Sequence, residues 1–182
     1  MRGICLDIYN PGQLQDHRVN VIKQAGRARA ELNNLMPDPM EALRAMKFER
    51  MGFNPLDGTP LNLIEQLNQT FHDLASFAAA SYLLERFPQC EGLRLAPQFA
   101  AGSDIASIMP GLVAAEVFAA VSPTNNLKLK KDAQKVDGTP AEHRFVFFYS
   151  PNDAPAPIEN VRQQFPAVQI RPLTWGEMLG QR

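Results

Sequence analysis

The sequence predicts an α/β protein whose mixed central sheet is flanked by helices. Strand-like and helix-like segments alternate from residue 59 onward, and such alternation requires crossover connections in a mixed or parallel sheet. Two segments, LVAAEVFAAV at 112–121 and RFVFFYS at 144–150, are almost wholly apolar, as strands buried on both faces are. The chain of 182 residues is 45% hydrophobic and 20% charged, which suits one full-sized core.

Residues 1–58 are predicted to form a helical N-terminal extension packed on a core of residues 59–182, within a single structural domain. Two segments with helical character, 13–35 and 40–51, lie between proline and glycine residues such as Pro37, Pro39 and Gly52. The region is too short to bury a good hydrophobic core alone, so we expect it to pack on the rest of the chain.

A long helix is predicted next. Thr59 is a candidate N-cap, Pro60 suits the first helical position, and Pro88 ends the helix. Apolar residues recur at three- and four-residue steps between them, which is the helical period: Leu63, Leu67, Phe71, Leu74, Ala78 and Tyr82.

The remaining elements follow in the order strand, strand, helix, strand, helix, strand. Strands are predicted at 93–99, 112–121, 144–150 and 168–173, and helices at 122–136 and 156–165. Thr124 or Asn125 is the expected cap of the first of these helices, whose apolar line is Leu129, Ala133 and Val136. Pro172 is expected to confine the last strand to a sheet edge, because proline has no N–H to donate.

Composition and the N-terminal residues favour a cytoplasmic protein without membrane contact. Cys5 and Cys90 are far apart and have no zinc or disulfide spacing, which fits a reducing compartment. The first residues, MRGICLDIYNPGQ, do not have the apolar run of a secretory signal, and no window of the sequence approaches a membrane span.

Four lysines lie within eight positions, although the net charge of the chain is only −1. They are Lys128, Lys130, Lys131 and Lys135, in the segment LKLKKDAQK. A local basic patch of this kind can bind phosphate while the whole chain stays nearly neutral. A solvated helix face is the alternative interpretation.

Two acids interrupt an otherwise apolar stretch, GSDIASIMPGLVAAEVFAAV at 102–121. On a strand, Glu116 shares its side with Leu112, Ala114, Phe118 and Ala120, where an ionised carboxylate is costly unless it is paired or bound to a metal. Asp104 lies in a glycine-containing bend. If the two segments pair as a hairpin through 106–111, Asp104 and Glu116 approach each other at one end of the sheet.

Two converging carboxylates suit a hard divalent cation. Mg²⁺, or Mn²⁺ in its place, prefers oxygen ligands and keeps several waters. Such an ion polarises a phosphodiester and generates hydroxide. The alternative is structural, since acids also cap turns or pair with lysine and arginine.

The segment of residues 59–175 resembles the PD-(D/E)xK nuclease superfamily, which has the restriction-endonuclease-like fold. The resemblance implies a helix glutamate, an acid after an early core strand and a (D/E)xK on the next strand, gathered around Mg²⁺. The matching positions are Glu65 in LIEQLNQTF, Asp104 in GSDI and Glu116 in AEVF. The implied metal ligands are Asp104 and Glu116, and the implied activity is endonucleolytic hydrolysis, of DNA in preference to RNA.

One position departs from the family motif. The family lysine belongs two residues after the glutamate, and Phe118 occupies that position. Some members supply the lysine from the following helix, where this chain has Lys128 and Lys131 on adjacent turns. Lys135 is expected to contact the phosphate backbone or to be solvated.

Phe118 also motivates an alternative function. The chain would then be a catalytically degenerate, nuclease-like domain that binds nucleic acid or a partner protein. In the nuclease hypothesis the small core leaves little room for a separate DNA-reading domain. Substrate specificity is therefore expected to come from a homodimer, a partner protein or the N-terminal extension.

Overall fold

A computed structural model describes residues 5–34, 38–96, 102–152 and 155–181. The chain divides into two compact units, Gln15–Leu74 on the one hand and Met1–Leu14 with Ala75–Arg182 on the other. We call them the helical unit and the sheet unit. The domain boundary expected after residue 58 falls inside the helical unit.

The described residues form the following elements in chain order. The strands are β1 (Leu6–Ile8), β2 (Gly52–Phe53), β3 (Pro60–Leu61), β4 (Leu93–Leu95), β5 (Ile105–Ser107), β6 (Val113–Ala119), β7 (His143–Tyr149) and β8 (Val168–Leu173). The α-helices are α1 (Pro11–Asn33), α2 (Pro39–Phe48), α3 (Leu63–Arg86), α4 (Lys128–Asp137), α5 (Pro155–Gln164) and α6 (Trp175–Met178). Pro88–Cys90 and Asn125–Leu127 are short 3₁₀ helices.

Six strands form one mixed sheet in the order β1-β4-β5-β6-β7-β8. The first three pairings, β1 with β4, β4 with β5 and β5 with β6, are antiparallel. The last two, β6 with β7 and β7 with β8, are parallel. The predicted α/β class and mixed sheet are confirmed, and the strand that contains Pro172 lies at an edge, as expected.

Aromatic and aliphatic side chains cover both faces of this sheet. On one face, Phe118 and Val146 belong to a buried cluster with Leu129 of α4 and Ile158 of α5. On the opposite face, Phe147 meets Tyr82 of α3 edge to face, with ring centroids 5.6 Å apart. The apolar line predicted for α4 is confirmed, because Leu129, Ala133 and Val136 are all buried.

The helical unit is held together by polar contacts as well as apolar ones. The carboxamide of Gln66 is buried, where it accepts a hydrogen bond from Phe53 N–H and donates one to the carbonyl of Gln24. The guanidinium of Arg27 lies 3.7 Å from the centroid of the Phe53 ring. These contacts join α1, β2 and α3.

Three boundaries differ from the sequence prediction. Helix α3 begins at Leu63 and not at Pro60, because Pro60–Leu61 pairs with Gly52–Phe53 and the Asn62 side chain caps Glu65 N–H. The strand expected at 93–99 ends at Leu95, and its positions 97–99 lie outside the described residues.

The expected helix start at Thr124 or Asn125 is the third difference. These residues belong to a separate turn, and α4 begins only at Lys128. Asn126 and Leu127 have positive φ values of 53° and 57°, which interrupt the helical path, and the Thr124 side chain makes no capping hydrogen bond.

Candidate active site

A β-hairpin places Asp104 beside Glu116. Strands β5 and β6 are antiparallel, and Ile105 is paired with Ala115. One step further in this register Asp104 lies opposite Glu116, and residues directly opposite in an antiparallel pair project to the same side of the sheet. The Asp104 carboxylate accepts a 2.8 Å hydrogen bond from the backbone N–H of Val117, which holds it against β6.

Glu116 is buried in the sheet, with 1% of its surface exposed. It lies on the α4 side of β6, where one of its oxygens, Oε2, accepts a 2.7 Å hydrogen bond from the ammonium of Lys135. The other, Oε1, is buried without a hydrogen-bond partner among the described residues. Burial is the largest influence on this carboxyl group. It raises the pKa of Glu116 to about 7, against the opposing Lys135 hydrogen bond and with a further rise from the charge of Asp104.

A third acid, Asp132 of α4, belongs to the same cluster. Asp132 is only 4% exposed, and its Oδ1 accepts a 2.7 Å hydrogen bond from Lys128 while Oδ2 is buried without a partner in the described part of the chain. Burial raises its pKa, which the Lys128 hydrogen bond opposes, and the charge of Asp104 adds a smaller rise. The sequence interpretation missed Asp132. Its position within the stripe Leu129, Ala133 and Val136 is the signal that was available.

Helix α4 directs three of its lysines differently. Lys128 pairs with Asp132, and Lys135 pairs with Glu116. Lys131 is exposed and, at 3.6 residues per turn, lies further from the buried stripe than the other two. Lys135 was expected to contact the phosphate backbone or to be solvated; its ammonium pairs with the strand glutamate, and its side chain is 48% exposed.

The resemblance also involves positions 65 and 118. Glu65 is an exposed residue in the first turn of α3 and belongs to the helical unit. Phe118, at the family lysine position, is buried and stacks on Phe148 with ring centroids 5.6 Å apart. Position 118 is therefore part of the apolar core, and the positive charge beside Glu116 comes from α4.

The side chains of the cluster that could hold a divalent cation are carboxylates. Among the described residues, no three or more histidine, cysteine, aspartate or glutamate side chains are grouped so that they would hold a metal ion. Mg²⁺ requires less, because one or two carboxylates with water and substrate oxygens complete its shell. Asp104 and Glu116, with the unpartnered Oε1 of Glu116, fit this smaller requirement.

Comparisons with known proteins give no relative. No protein-family model, no curated protein and no solved structure matches the chain. Within the described ranges, no helix has the length and apolarity needed to cross a bilayer.

Proposed function

We propose that the chain is a Mg²⁺- or Mn²⁺-dependent phosphodiesterase, a nuclease that cleaves DNA in preference to RNA. One observation carries the proposal. The buried Glu116 lies next to Asp104, has a lysine on one oxygen and leaves the other oxygen without a partner. This combination of two acids and a cation suits phosphodiester hydrolysis, in which negative charge develops on the phosphate.

Asp104 and Glu116 would hold the ion. When bound, the ion would polarise the phosphodiester and activate a water. Lys135 then has a separate task. Its ammonium is fixed at Glu116 and its side chain is 48% exposed, so it can turn an N–H toward the phosphate and stabilise the charge of the transition state. The chain would thereby replace the motif lysine that Phe118 displaces.

The order of elements supports the restriction-endonuclease-like interpretation. Helix α3 is followed by β4, β5 and β6, then by α4 and β7, and the proposed acids lie on β6 and immediately before β5. Lys131, exposed on α4, remains a candidate for a second positive charge that stabilises the phosphate. A homodimer or a partner protein remains the proposed source of substrate specificity.

A second candidate function is binding without catalysis. Phe118 stands where the motif has lysine, and Lys135 already neutralises part of the charge on Glu116. A degenerate domain of this kind would bind nucleic acid or a partner protein. It would cleave nothing with any metal, and neutralising Lys128, Lys130 and Lys131 would weaken its salt-sensitive retention of DNA.

Cleavage of plasmid DNA with Mg²⁺ or Mn²⁺ tests the first function against the second. Asp104→Asn and Glu116→Gln keep the side-chain shape and remove the charge, so each should lower the rate at least about a hundredfold. Asp137→Asn, an exposed acid of the same helix, is the matched control and should cleave at the wild-type rate. Activity that survives in both site variants refutes the nuclease proposal. DNA binding without cleavage by the wild type supports the second function.

A further inference from the structure

Three polar side chains of α4 form a row along strand β6. Lys128, Asp132 and Lys135 are spaced by four and three residues, which places them on one side of the helix. The Lys135 ammonium meets Glu116, and the Lys128 ammonium lies 5.8 Å from the centroid of the Phe118 ring. The two ammonium groups thus lie beside Glu116 and Phe118, which are two strand positions, about 6.6 Å, apart along β6.

Asp132 holds the ammonium of Lys128 in that row. The carboxylate is 4% exposed, and its Oδ1 accepts the 2.7 Å hydrogen bond from Lys128. A buried carboxylate adds little net stability compared with an apolar residue of similar volume. Asp132 instead holds the Lys128 ammonium in one position. The face of the Phe118 ring, over which the ammonium lies, helps to hold it there.

The ammonium of Lys128 remains available to a ligand. Its side chain is 46% exposed, and an ammonium has three N–H donors, of which Asp132 uses one. A phosphate that approaches from solvent would therefore meet a positioned cation with free donors. Phosphate is a ligand for which a point charge of this kind is suited.

We propose that Lys128, positioned by Asp132 and Phe118, binds the phosphate adjacent to the scissile one. The two strand residues beside which these ammonium groups lie are about 6.6 Å apart along β6, a spacing comparable to the step between successive phosphates of a nucleotide strand. The substrate class that follows is a polynucleotide and not an isolated phosphodiester. This inference rests on the proposed function, in which Glu116 and Lys135 lie at the scissile phosphate.

Two substrates distinguish binding of the adjacent phosphate by Lys128 from a contribution of Lys128 to the hydrolysis of any phosphodiester. The first is a DNA oligonucleotide with a mapped cleavage position, and the second is thymidine 5′-(p-nitrophenyl phosphate), which has a single phosphodiester. Lys128→Met should lower kcat/KM for the oligonucleotide by about ten- to a hundredfold, the value of a charge-assisted hydrogen bond, and leave the small substrate unchanged. Lys23→Met, at an exposed position of α1, is the control for loss of one positive charge.

A chemical change in the DNA tests the same contact without a protein variant. In this DNA a neutral methylphosphonate replaces the phosphate adjacent to the scissile one. It should slow the wild type by the same factor as Lys128→Met slows cleavage of the unmodified oligonucleotide. It should not slow the Lys128→Met variant further. Asp132→Leu keeps the charge of Lys128 but removes the acceptor that positions it, so KM for the oligonucleotide should rise by a larger factor than kcat falls. Equal losses on both substrates, or additive effects of the methylphosphonate and Lys128→Met, overturn the inference.

Binding measured without turnover distinguishes failure of this inference from failure of the proposed function. Fluorescence anisotropy of the oligonucleotide on Glu116→Gln should give a logarithmic salt slope that falls by about one when Lys128→Met is added. If adding Lys128→Met changes neither the affinity nor the salt slope, the proposed role of Lys128 is refuted, and the proposed function is not affected. If the wild type neither cleaves nor binds the oligonucleotide, the proposed function fails and this inference fails with it.

Discussion

The charge state of Glu116 dominates the chemistry of the site at the scale of single residues. Three acids, Asp104, Glu116 and Asp132, share the cluster with Lys128 and Lys135. When all five are ionised, the acids exceed the lysines by one charge, which the raised pKa of Glu116 relieves through protonation near neutral pH. A divalent cation would reverse the sign of this imbalance, and the site would then attract an anionic phosphate.

Glu116 should make the free protein less stable as the pH rises. Its pKa is raised from 4.5 to about 7 in the folded chain, so its proton stabilises the fold below pH 4.5 and this contribution is lost as the pH rises through 7. Between pH 4.5 and 8, the wild type should lose roughly 3 kcal/mol relative to Glu116→Gln. Urea unfolding of both proteins across this range measures the difference. Parallel stability profiles would contradict the prediction.

Lys135 should hold the pKa of Glu116 down. The Lys135 hydrogen bond lowers this pKa against the effect of burial, so Lys135→Met should raise it above its value in the wild type. Lys135→Arg retains a positive charge and should shift the pKa less. Carbon-detected NMR titration of the side-chain carboxyl follows both variants. A lower pKa in Lys135→Met would mean that the pairing in solution differs from the 2.7 Å contact.

Individual residues differed in how well the sequence revealed them. Glu116 was recognisable, because an acid among apolar strand residues has to be compensated. The partner lysine was not, because helix periodicity alone does not determine which of Lys128, Lys131 and Lys135 reaches the strand. Asp132 was hidden within a run of lysines, where an acid is expected to be solvated. Its position in the stripe of Leu129, Ala133 and Val136 was the sequence signal of burial, and in the structure Asp132 is only 4% exposed.

At the scale of elements, the β5–β6 hairpin and α4 assemble the site. The hairpin determines which acids face each other, because a register shift of one residue would move Glu116 to the opposite face of the sheet. Helix α4 crosses between the parallel strands β6 and β7, and so brings its lysines over the α4 face of β6. The hairpin thus positions the acids of the site and α4 positions its lysines, so both elements are needed to form the site.

Two glycines, one before β4 and one inside α1, offer a stability test of other elements. Gly92, directly before β4, has φ +121°, and a Cβ there would lie 2.9 Å from the carbonyl oxygen of Ile8. Gly92→Ala should therefore destabilise the sheet unit by about 1–3 kcal/mol. Gly26, inside α1, has nothing within 4 Å of its Cβ position, so Gly26→Ala should stabilise the protein by about 0.5–1 kcal/mol. Thermal unfolding measures the change in stability of both variants. A change of the same sign in Gly92→Ala and Gly26→Ala would contradict the prediction.

Long elements were predictable from sequence, and short ones were not. Strands β6 and β7 each have seven residues and a nearly continuous apolar run. Strands β1 and β5 have three residues each. Such segments are too short for a pattern of hydrophobic residues to identify them, and only their pairing with neighbouring strands defines them. The start of α3 was misplaced for a similar reason, since Pro60–Leu61 pairs with a strand more than five residues away in sequence.

At the scale of the whole molecule, the sequence correctly indicated an α/β chain with a mixed sheet. It carries no mark of the positions at which the chain passes from one compact unit to the other. Helices α1 and α3 each begin in one unit and end in the other. A boundary inside a helix produces no proline, glycine or change of composition, which are the signals by which linkers are recognised. Leu6–Ile8 also provide the edge strand β1 of the six-stranded sheet, which no periodicity in a three-residue segment predicts.

Cation binding should raise the stability of the whole chain, because an ion held by Asp104 and Glu116 binds only the folded state. At one hundred times its Kd, Mg²⁺ should add about 2.7 kcal/mol and raise Tm by about 5–10 °C. The shift should be smaller at pH 6 than at pH 8, because the ion must first displace the proton that Glu116 holds with a pKa of about 7. Differential scanning calorimetry measures this, with K⁺ at equal ionic strength as the control. The shift should vanish in Glu116→Gln, and an equal shift in that variant would place the ion elsewhere.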